Sequence, residues 1–318
     1  MVQCELLKGI MGSMAAQSYE PAYVDLLRSG ELKRRGAQAC AQLSRCDLCP
    51  WVCKVDRQAG QLGFCRTGAR ARVSSYAPHL GEEDVLRGWR GSGTIFFSRC
   101  NLRCQYCQNY DISQSDAGRE VEPEELASMM LELQSLGCHN INFVSPSHVV
   151  PQLLAAVLIA ARAGLRLPLV YNTGGYDSIT ALELLAGVVD IYMPDMKYAS
   201  DGIARRYSLI PGYPRVNQAA VREMHRQVGD LQVDEWGLAH RGLLVRHLIL
   251  PDNLAGTDEI IRFLSAEIST QTYLNLMDQY RPAYKAHTFP ELQRRIHRSE
   301  YEEARRIALS AGLDRLAD

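Results

Sequence analysis

The chain reads as an α/β protein, a parallel sheet partly closed into a six-unit β/α barrel of TIM type and preceded by a cysteine-rich extension. Three observations predict this. From Gly93 onward, short apolar runs alternate six times with amphipathic helical patterns, and strands that alternate with helices argue for parallel pairing through crossovers. Seven of the ten cysteines fall in two tight groups between residues 46 and 107, the habit of a metal-stapled segment. Hydrophobic residues make up 47% and charged residues 22% of 318, ordinary for a protein with a large core. The formal net charge of −1 gives no electrostatic footprint for nucleic acid or an anionic membrane.

Residues 1–45 read as a polar helical lead-in, with Met14 a candidate start. No long apolar stretch precedes it, and the longest one anywhere, 153–161, is too short to span a bilayer. Ten cysteines without a secretory signal point to metal binding in a reducing compartment, so the expected location is cytoplasmic, with no membrane partner. Residues 46–90 are rich in cysteine and glycine and lack sustained periodicity. The core, 91–285, has strands expected at 93–98, 140–145, 167–172, 189–194, 243–250 and 272–277. Helices are expected at 123–136, 149–163, 178–186, around 219–228 and at 258–268. The first of these opens Pro123-Glu124-Glu125, and proline and acids are favoured in a first turn. Residues 286–318 complete the chain as a charged helical segment packed over the outside.

Parallel barrels carry their chemistry at the C-terminal ends of the strands. After the first strand stand Cys100, Cys104 and Cys107, spaced C-x3-C-x2-C, with Tyr106 before the last. Three thiolates on one loop can hold three irons of a cubane and leave the fourth open, whereas electron-transfer clusters usually have four thiolates. An open metal position binds and activates a small molecule. Zinc, or three buried thiols, is the alternative reading of the triplet. Ser145-Pro146-Ser147-His148 follows the second strand, with His148 either a polar site residue or a helix cap. Asn172-Thr173-Gly174-Gly175 follows the third, where paired glycines suit either a close ligand or an ordinary turn. Asp195 and Lys197 end the fourth, and an acid and a base two apart are unusual at a buried position. Arg246 lies on the fifth, as a ligand-binding cation or a salt-bridge partner, and Tyr280-Arg281 follows the sixth, facing a ligand or anchoring the C-terminal helices.

On the cysteine triplet and its preceding strand, the chain resembles the radical S-adenosylmethionine (SAM) superfamily. The resemblance implies a 4Fe-4S cluster on Cys100, Cys104 and Cys107 whose open iron chelates SAM, and reductive cleavage of SAM to a 5′-deoxyadenosyl radical. The family's Gly-Gly-Glu type motif after the second strand is missing. Asn-Thr-Gly-Gly paired with Asp-x-Lys resembles the pyruvate formate-lyase activating enzymes, whose substrate is a backbone glycine of a partner protein. That resemblance implies a SAM-binding site at Asn172, Thr173, Asp195, Lys197 and Arg246. It also implies a flavodoxin- or ferredoxin-type electron donor.

A second set, Cys46, Cys49, Cys53 and Cys65, is spaced C-x2-C-x3-C-x11-C. Four thiolates suit a second iron–sulfur cluster or zinc, and the two separated C-x2-C knuckles of a zinc ribbon are missing. Cys4, Cys40 and Cys138 read as free thiols. Three functions follow: activation of a glycyl-radical protein, radical modification of a peptide or small molecule, and a non-catalytic zinc or iron–sulfur scaffold. A dinucleotide-binding reading fails, because Arg90-Gly91-Ser92-Gly93 precedes a strand instead of following one.

Overall fold

The computed structural model describes residues 19–317; the expectations for Met14 and Cys4 lie outside them. The chain enters through α1 (Tyr23–Arg28) and α2 (Glu31–Ala41), then crosses an irregular segment carrying four cysteines into β1 (Ala71–His79). A single turn, α3 (Asp84–Arg87), leads to β2 (Ser92–Phe97). The cysteine triplet, α4 (Tyr110–Ser113) and β3 (Arg119–Val121) follow. The alternation is then regular: α5 (Pro123–Ser135), β4 (Ile141–Val144), α6 (Val150–Arg162), β5 (Leu169–Thr173), α7 (Ile179–Leu185) and β6 (Ile191–Pro194). Next come α8 (Asp201–Ser208), α9 (Tyr213–Val228), β7 (Gln232–Val233), β8 (Ala239–Leu248), α10 (Thr257–Phe263), β9 (Tyr273–Met277) and α11 (Arg298–Ser310).

The six expected strands are β2, β4, β5, β6, β8 and β9, and they pair in parallel in that order. The sheet is nonetheless mixed. β1 pairs antiparallel with β2, and β3 antiparallel with β1. No pairing among the described residues joins β9 back to β2, so barrel closure is not established. The physical reason is that β1 occupies the edge of β2 that closure needs. β1 lies inside the segment read as cysteine-rich loop. Its sequence, Ala-Arg-Val-Ser-Ser-Tyr-Ala-Pro-His, has weak apolar alternation and a proline, and its partner comes later in the chain.

One face of the sheet packs on helices. Ile95, Phe97, Ile141 and Phe143 join Leu126, Met130, Leu153 and Leu154 in the main core. α5 starts where the sequence expects, with a Glu122–Glu125 capping box and Pro123 in its first turn. α6 is apolar nearly all round, with Leu153, Leu154, Ala156 and Val157 fully buried, because both the sheet and α2 cover it. Each such large side chain contributes roughly 1.5–3 kcal/mol. The lead-in is less peripheral than expected. Tyr23 is wholly buried and donates to the Leu167 carbonyl at 3.0 Å. Asp190, ahead of β6, accepts from Tyr19 Oη and from the backbone N–H groups of Ala22 and Leu169. Among the described residues, no helix is long and apolar enough to cross a membrane.

α9 starts at Tyr213, six residues before the helix the sequence suggests, with Pro214 in its first turn. That extra length reaches the ends of β5 and β6.

Candidate active site

The opposite face of the sheet carries a cavity of about 240 Å³. Cys100, Cys104 and Cys107 line it together with Asn172, Thr173, Asp195, Lys197 and Arg246. Residues separated by almost 150 positions therefore meet because each ends a parallel strand.

The cysteine loop is pinned on either side of Cys104. Arg103 N–H donates to the Ser208 carbonyl at 3.1 Å and Gln105 N–H to that of Tyr207 at 2.7 Å, fastening the loop to the end of α8. Each sulfur has a hydrogen-bonding neighbour: Leu102 N–H to Cys100 Sγ at 3.4 Å, Ser208 Oγ to Cys104 Sγ at 3.0 Å, and Ser113 Oγ beside Cys107 Sγ at 3.2 Å. Tyr106 is buried edge-on to Tyr198 and Tyr280. Burial pushes the Cys100 thiol up to about 12, with the Cys104 charge adding to it. Burial likewise pushes Cys104 up to about 11, against the pull of Lys197.

The charged residues form one bonded group. Asp195 Oδ2 accepts from Lys197 Nζ at 2.6 Å, and Oδ1 accepts from Arg246 Nε at 2.9 Å. Arg246 Nη2 donates to Asn172 Oδ1 at 2.7 Å. Burial raises the Asp195 carboxyl, but the Arg246 and Lys197 charges outweigh it and hold its pKa below the usual range. Burial lowers Lys197, and Asp195 more than restores it. The group thus carries two cations and one anion.

Residues on α9, missed in the sequence, hold this group in place. Tyr213 Oη accepts from Lys197 N–H at 3.0 Å and shares its one proton between the carbonyls of Gly174 (2.9 Å) and Asp195 (3.0 Å). Asn217 Nδ2 donates to the carbonyls of Gly175 and Asp195, both at 3.0 Å. Their signal was present, since a tyrosine and an asparagine at i and i+4 share a helix face, but the helix start was placed too late to include either.

The superfamily model "Radical SAM superfamily" matches residues 94–233. "Uncharacterized protein MJ0674" of Methanocaldococcus jannaschii is 32% identical over 281 residues, covering 86% of this chain and 77% of its own length. The chain belongs to the radical SAM superfamily. Solved structures similar to this radical SAM protein include a radical SAM methyltransferase from Sphaerobacter thermophilus (16% identity, TM-score 0.47). The FeFe-hydrogenase maturase HydG from Carboxydothermus hydrogenoformans is another (14% identity, TM-score 0.48). Each match covers 70% of this chain, but the chain spans only 64% and 51% of those two proteins.

Membership implies a 4Fe-4S cluster and SAM, and the donor set fits them. Three thiols line one cavity beside the Lys197 and Arg246 cations that a carboxylate ligand needs. Among the described residues no three His, Cys, Asp or Glu side chains converge on a point that one ion could occupy.

For several residues the structure chooses between the roles left open or assigns another. His148 does not line the cavity; it is buried, its Nε2 lies 3.1 Å from the Ser98 carbonyl, and its own carbonyl accepts from Arg57. Ser145 does line the cavity, while Ser147 bonds Thr173 Oγ1 at 2.9 Å. Tyr280 anchors the C-terminal segment through the Leu292 carbonyl at 2.7 Å. Gly174 and Gly175 make room for the protein itself. A Cβ on Gly174 would lie 2.3 Å from Leu102 Cδ1, on the cysteine loop.

His247 braces the Asp-x-Lys segment: Nδ1 donates to the Met196 carbonyl at 2.7 Å and Nε2 accepts from Thr257 Oγ1 at 2.9 Å. Burial holds this ring at a pKa of about 4. Burial, with Arg57 adding, holds His148 at about 3. Above the unfolded value of about 6.5 both rings are neutral in either state. As pH falls below that value, the unfolded chain takes up protons that the folded rings refuse, and stability is lost until the folded pKa is passed. By pH ~5 each ring alone withdraws roughly 2 kcal/mol. Asp190, raised to about 6 by burial, acts oppositely, since its contribution is present at low pH and lost as pH rises through 6. NMR titration of labelled histidines isolates the rings from that offset; both should stay neutral at pH ~5. Titration of either near the ordinary value contradicts the burial argument.

Proposed function

We propose that this protein reductively cleaves SAM and abstracts hydrogen from a glycine of a partner protein. The observation that carries the SAM chemistry is the single cavity shared by Cys100, Cys104, Cys107 and the Asp195–Lys197–Arg246 group. When bound, the reduced cluster supplies the electron that breaks SAM into methionine and a 5′-deoxyadenosyl radical, the hydrogen-abstracting species. The protein's own residues orient and shield. Lys197 and Arg246 supply positive charge for a carboxylate, Asp195 keeps both protonated and in place, and Asn172 fixes the plane of Arg246. The glycine target is supported by Asn172-Thr173-Gly174-Gly175 standing against Asp195-Met196-Lys197. A flavodoxin- or ferredoxin-type donor would supply the electron, in a reducing cytoplasm.

We assign Cys46, Cys49, Cys53 and Cys65 to a second iron–sulfur cluster. Burial raises the Cys49 thiol, and the Cys65, Cys46 and Cys53 charges add to it, so the four sulfurs share one neighbourhood. The segment also touches the first loop: Trp51 Nε1 donates to the Asn101 carbonyl at 2.8 Å, and Trp51 stacks on Phe64 at 3.7 Å. Iron and sulfide analysis of anaerobically purified protein should show two clusters, with Cys46→Ala and Cys100→Ala each losing one.

Anaerobically reconstituted protein with dithionite should release 5′-deoxyadenosine from SAM, and Cys104→Ala should not. Equal release by the variant would falsify the SAM chemistry. Incubation with a candidate partner protein followed by electron paramagnetic resonance tests the target; a persistent doublet marks a glycyl radical, and its absence alongside a modified peptide or small molecule transfers the chemistry to that substrate.

A further inference from the structure

Arg57 is a buried cation without a carboxylate. Its side chain is 2% exposed, and among the described residues its guanidinium bonds only carbonyls and a sulfur. Nε and Nη2 donate to the Gly68 carbonyl at 2.9 and 2.7 Å, and Nη1 donates to the His148 carbonyl at 2.9 Å. Nη1 also lies 3.9 Å from Cys46 Sγ. Carbonyl oxygens satisfy the donors but leave the charge uncompensated, and a buried charge without a counter-charge is costly. Two acids, Glu120 and Glu122, line a cavity with Arg57. Both are exposed, where water screens them, and Glu122 pairs with Arg70 at 2.5 Å. Of the groups bonded to the Arg57 guanidinium, only the buried Cys46 can become an anion.

The backbone holds this contact in place. Arg57 N–H donates to the Leu43 carbonyl at 2.8 Å, Cys46 N–H to the Val55 carbonyl at 2.9 Å, and Lys54 N–H to the Cys46 carbonyl at 2.7 Å. The loop from 43 to 57 therefore closes on itself and sets Cys46 beside Arg57. Gly68 follows closely on Cys65, and His148 stands in the turn between β4 and α6. Bonds to both carbonyls fix the guanidinium plane and tie the cysteine segment to the sheet. A lysine has the charge but not the rigid fork that makes these bonds together.

We propose that Arg57 is the counter-ion of the second cluster, set against the Cys46 thiolate so that this site accepts an electron more readily. This rests on the assignment of Cys46, Cys49, Cys53 and Cys65 to an iron–sulfur cluster. Four thiolates give such a cluster a net negative charge, and one-electron reduction adds to it. A fixed cation beside one ligand sulfur favours the reduced form, because cluster potentials follow net charge and hydrogen bonds to the sulfurs. Arg57 does not line the cavity of the cysteine triplet, so its effect falls on the second site.

The test is a redox titration of the full chain, reconstituted anaerobically, reduced stepwise with dithionite and followed by electron paramagnetic resonance. Cys46→Ala and Cys100→Ala each leave one cluster and assign the two signals. Arg57→Gln should lower the reduction constant of the second cluster at least about tenfold, a fall of about 59 mV for one electron, and leave that of the first cluster unchanged. Arg57→Lys, which keeps the charge and loses the fork, should stay closer to wild type than Arg57→Gln does. An unchanged potential in Arg57→Gln, or equal shifts in both variants, overturns the proposal. Where Arg57→Gln fails to hold the second cluster, iron and sulfide content decides. Retention by Arg57→Lys upholds the counter-ion, whereas loss by both variants with the first cluster intact makes Arg57 a structural staple and overturns it. Iron and sulfide for one cluster in wild type overturns the cluster assignment itself, a result distinct from a two-cluster protein whose potentials ignore Arg57.

Discussion

Replacing Asp195 by alanine is expected to cost about 3–5 kcal/mol of stability and to abolish SAM binding. The substitution leaves Lys197 and Arg246 largely buried and facing each other with their shared anion gone. Two like charges in a poorly solvated site repel, and the lost partner had compensated the desolvation of both. The Lys197 pKa should then fall, since burial lowers it and Asp195 is the largest of the groups that restore it, ahead of Cys104. Arg246 would also lose the contact that aims it at Asn172. Urea denaturation measures the first effect and equilibrium dialysis with SAM the second. Wild-type stability and affinity in the variant would show that the group is a rim feature screened by water.

Gly175→Ala is expected to disrupt the same site from the backbone. Gly175 has φ of +75°, where an L side chain is strained, a cost of about 1–2 kcal/mol. The steric conflict is larger. The new Cβ would stand 2.2 Å from the Asp195 carbonyl oxygen and 2.2 Å from Asn217 Nδ2. Both atoms are fixed, because Asn217 Nδ2 donates to the carbonyls of Gly175 and Asp195. Relief therefore requires β5 and β6 to separate at their ends, moving Asn172 away from Arg246. The variant should lose several kcal/mol, roughly in the range of other strained and overpacked core changes, and bind SAM weakly. Chemical denaturation and SAM titration provide the readout; a change below about 1 kcal/mol would mean the turn relaxes at no cost to its neighbours.

Much of the frame was legible because it is written locally. Each parallel strand buries both faces, so each appears as a short apolar run, and the runs ending at Phe97, Val144 and Pro194 needed no partner to be recognised. The spacing of Cys100, Cys104 and Cys107 is likewise a property of one loop. Asp195 and Lys197 stood out because charge at the end of an apolar strand has a short list of causes.

What stayed hidden depends on pairing across long separations. β1 carries Pro78 and few apolar residues, and its strand identity comes from its ladder to β2. Tyr280, three residues after β9, stood open between ligand contact and anchor until its hydroxyl met the Leu292 carbonyl.

The spacing of the cysteines, the parallel strands and the residues at their ends could be read from the chain alone, since covalent spacing and side-chain polarity are local quantities. That Asp195 binds two cations, that α9 locks the ends of β5 and β6 together, and that β1 takes the edge of β2 emerge only from the fold. Hydrogen bonds and desolvation depend on distances in space, and residues far apart in the chain meet there only after it has folded.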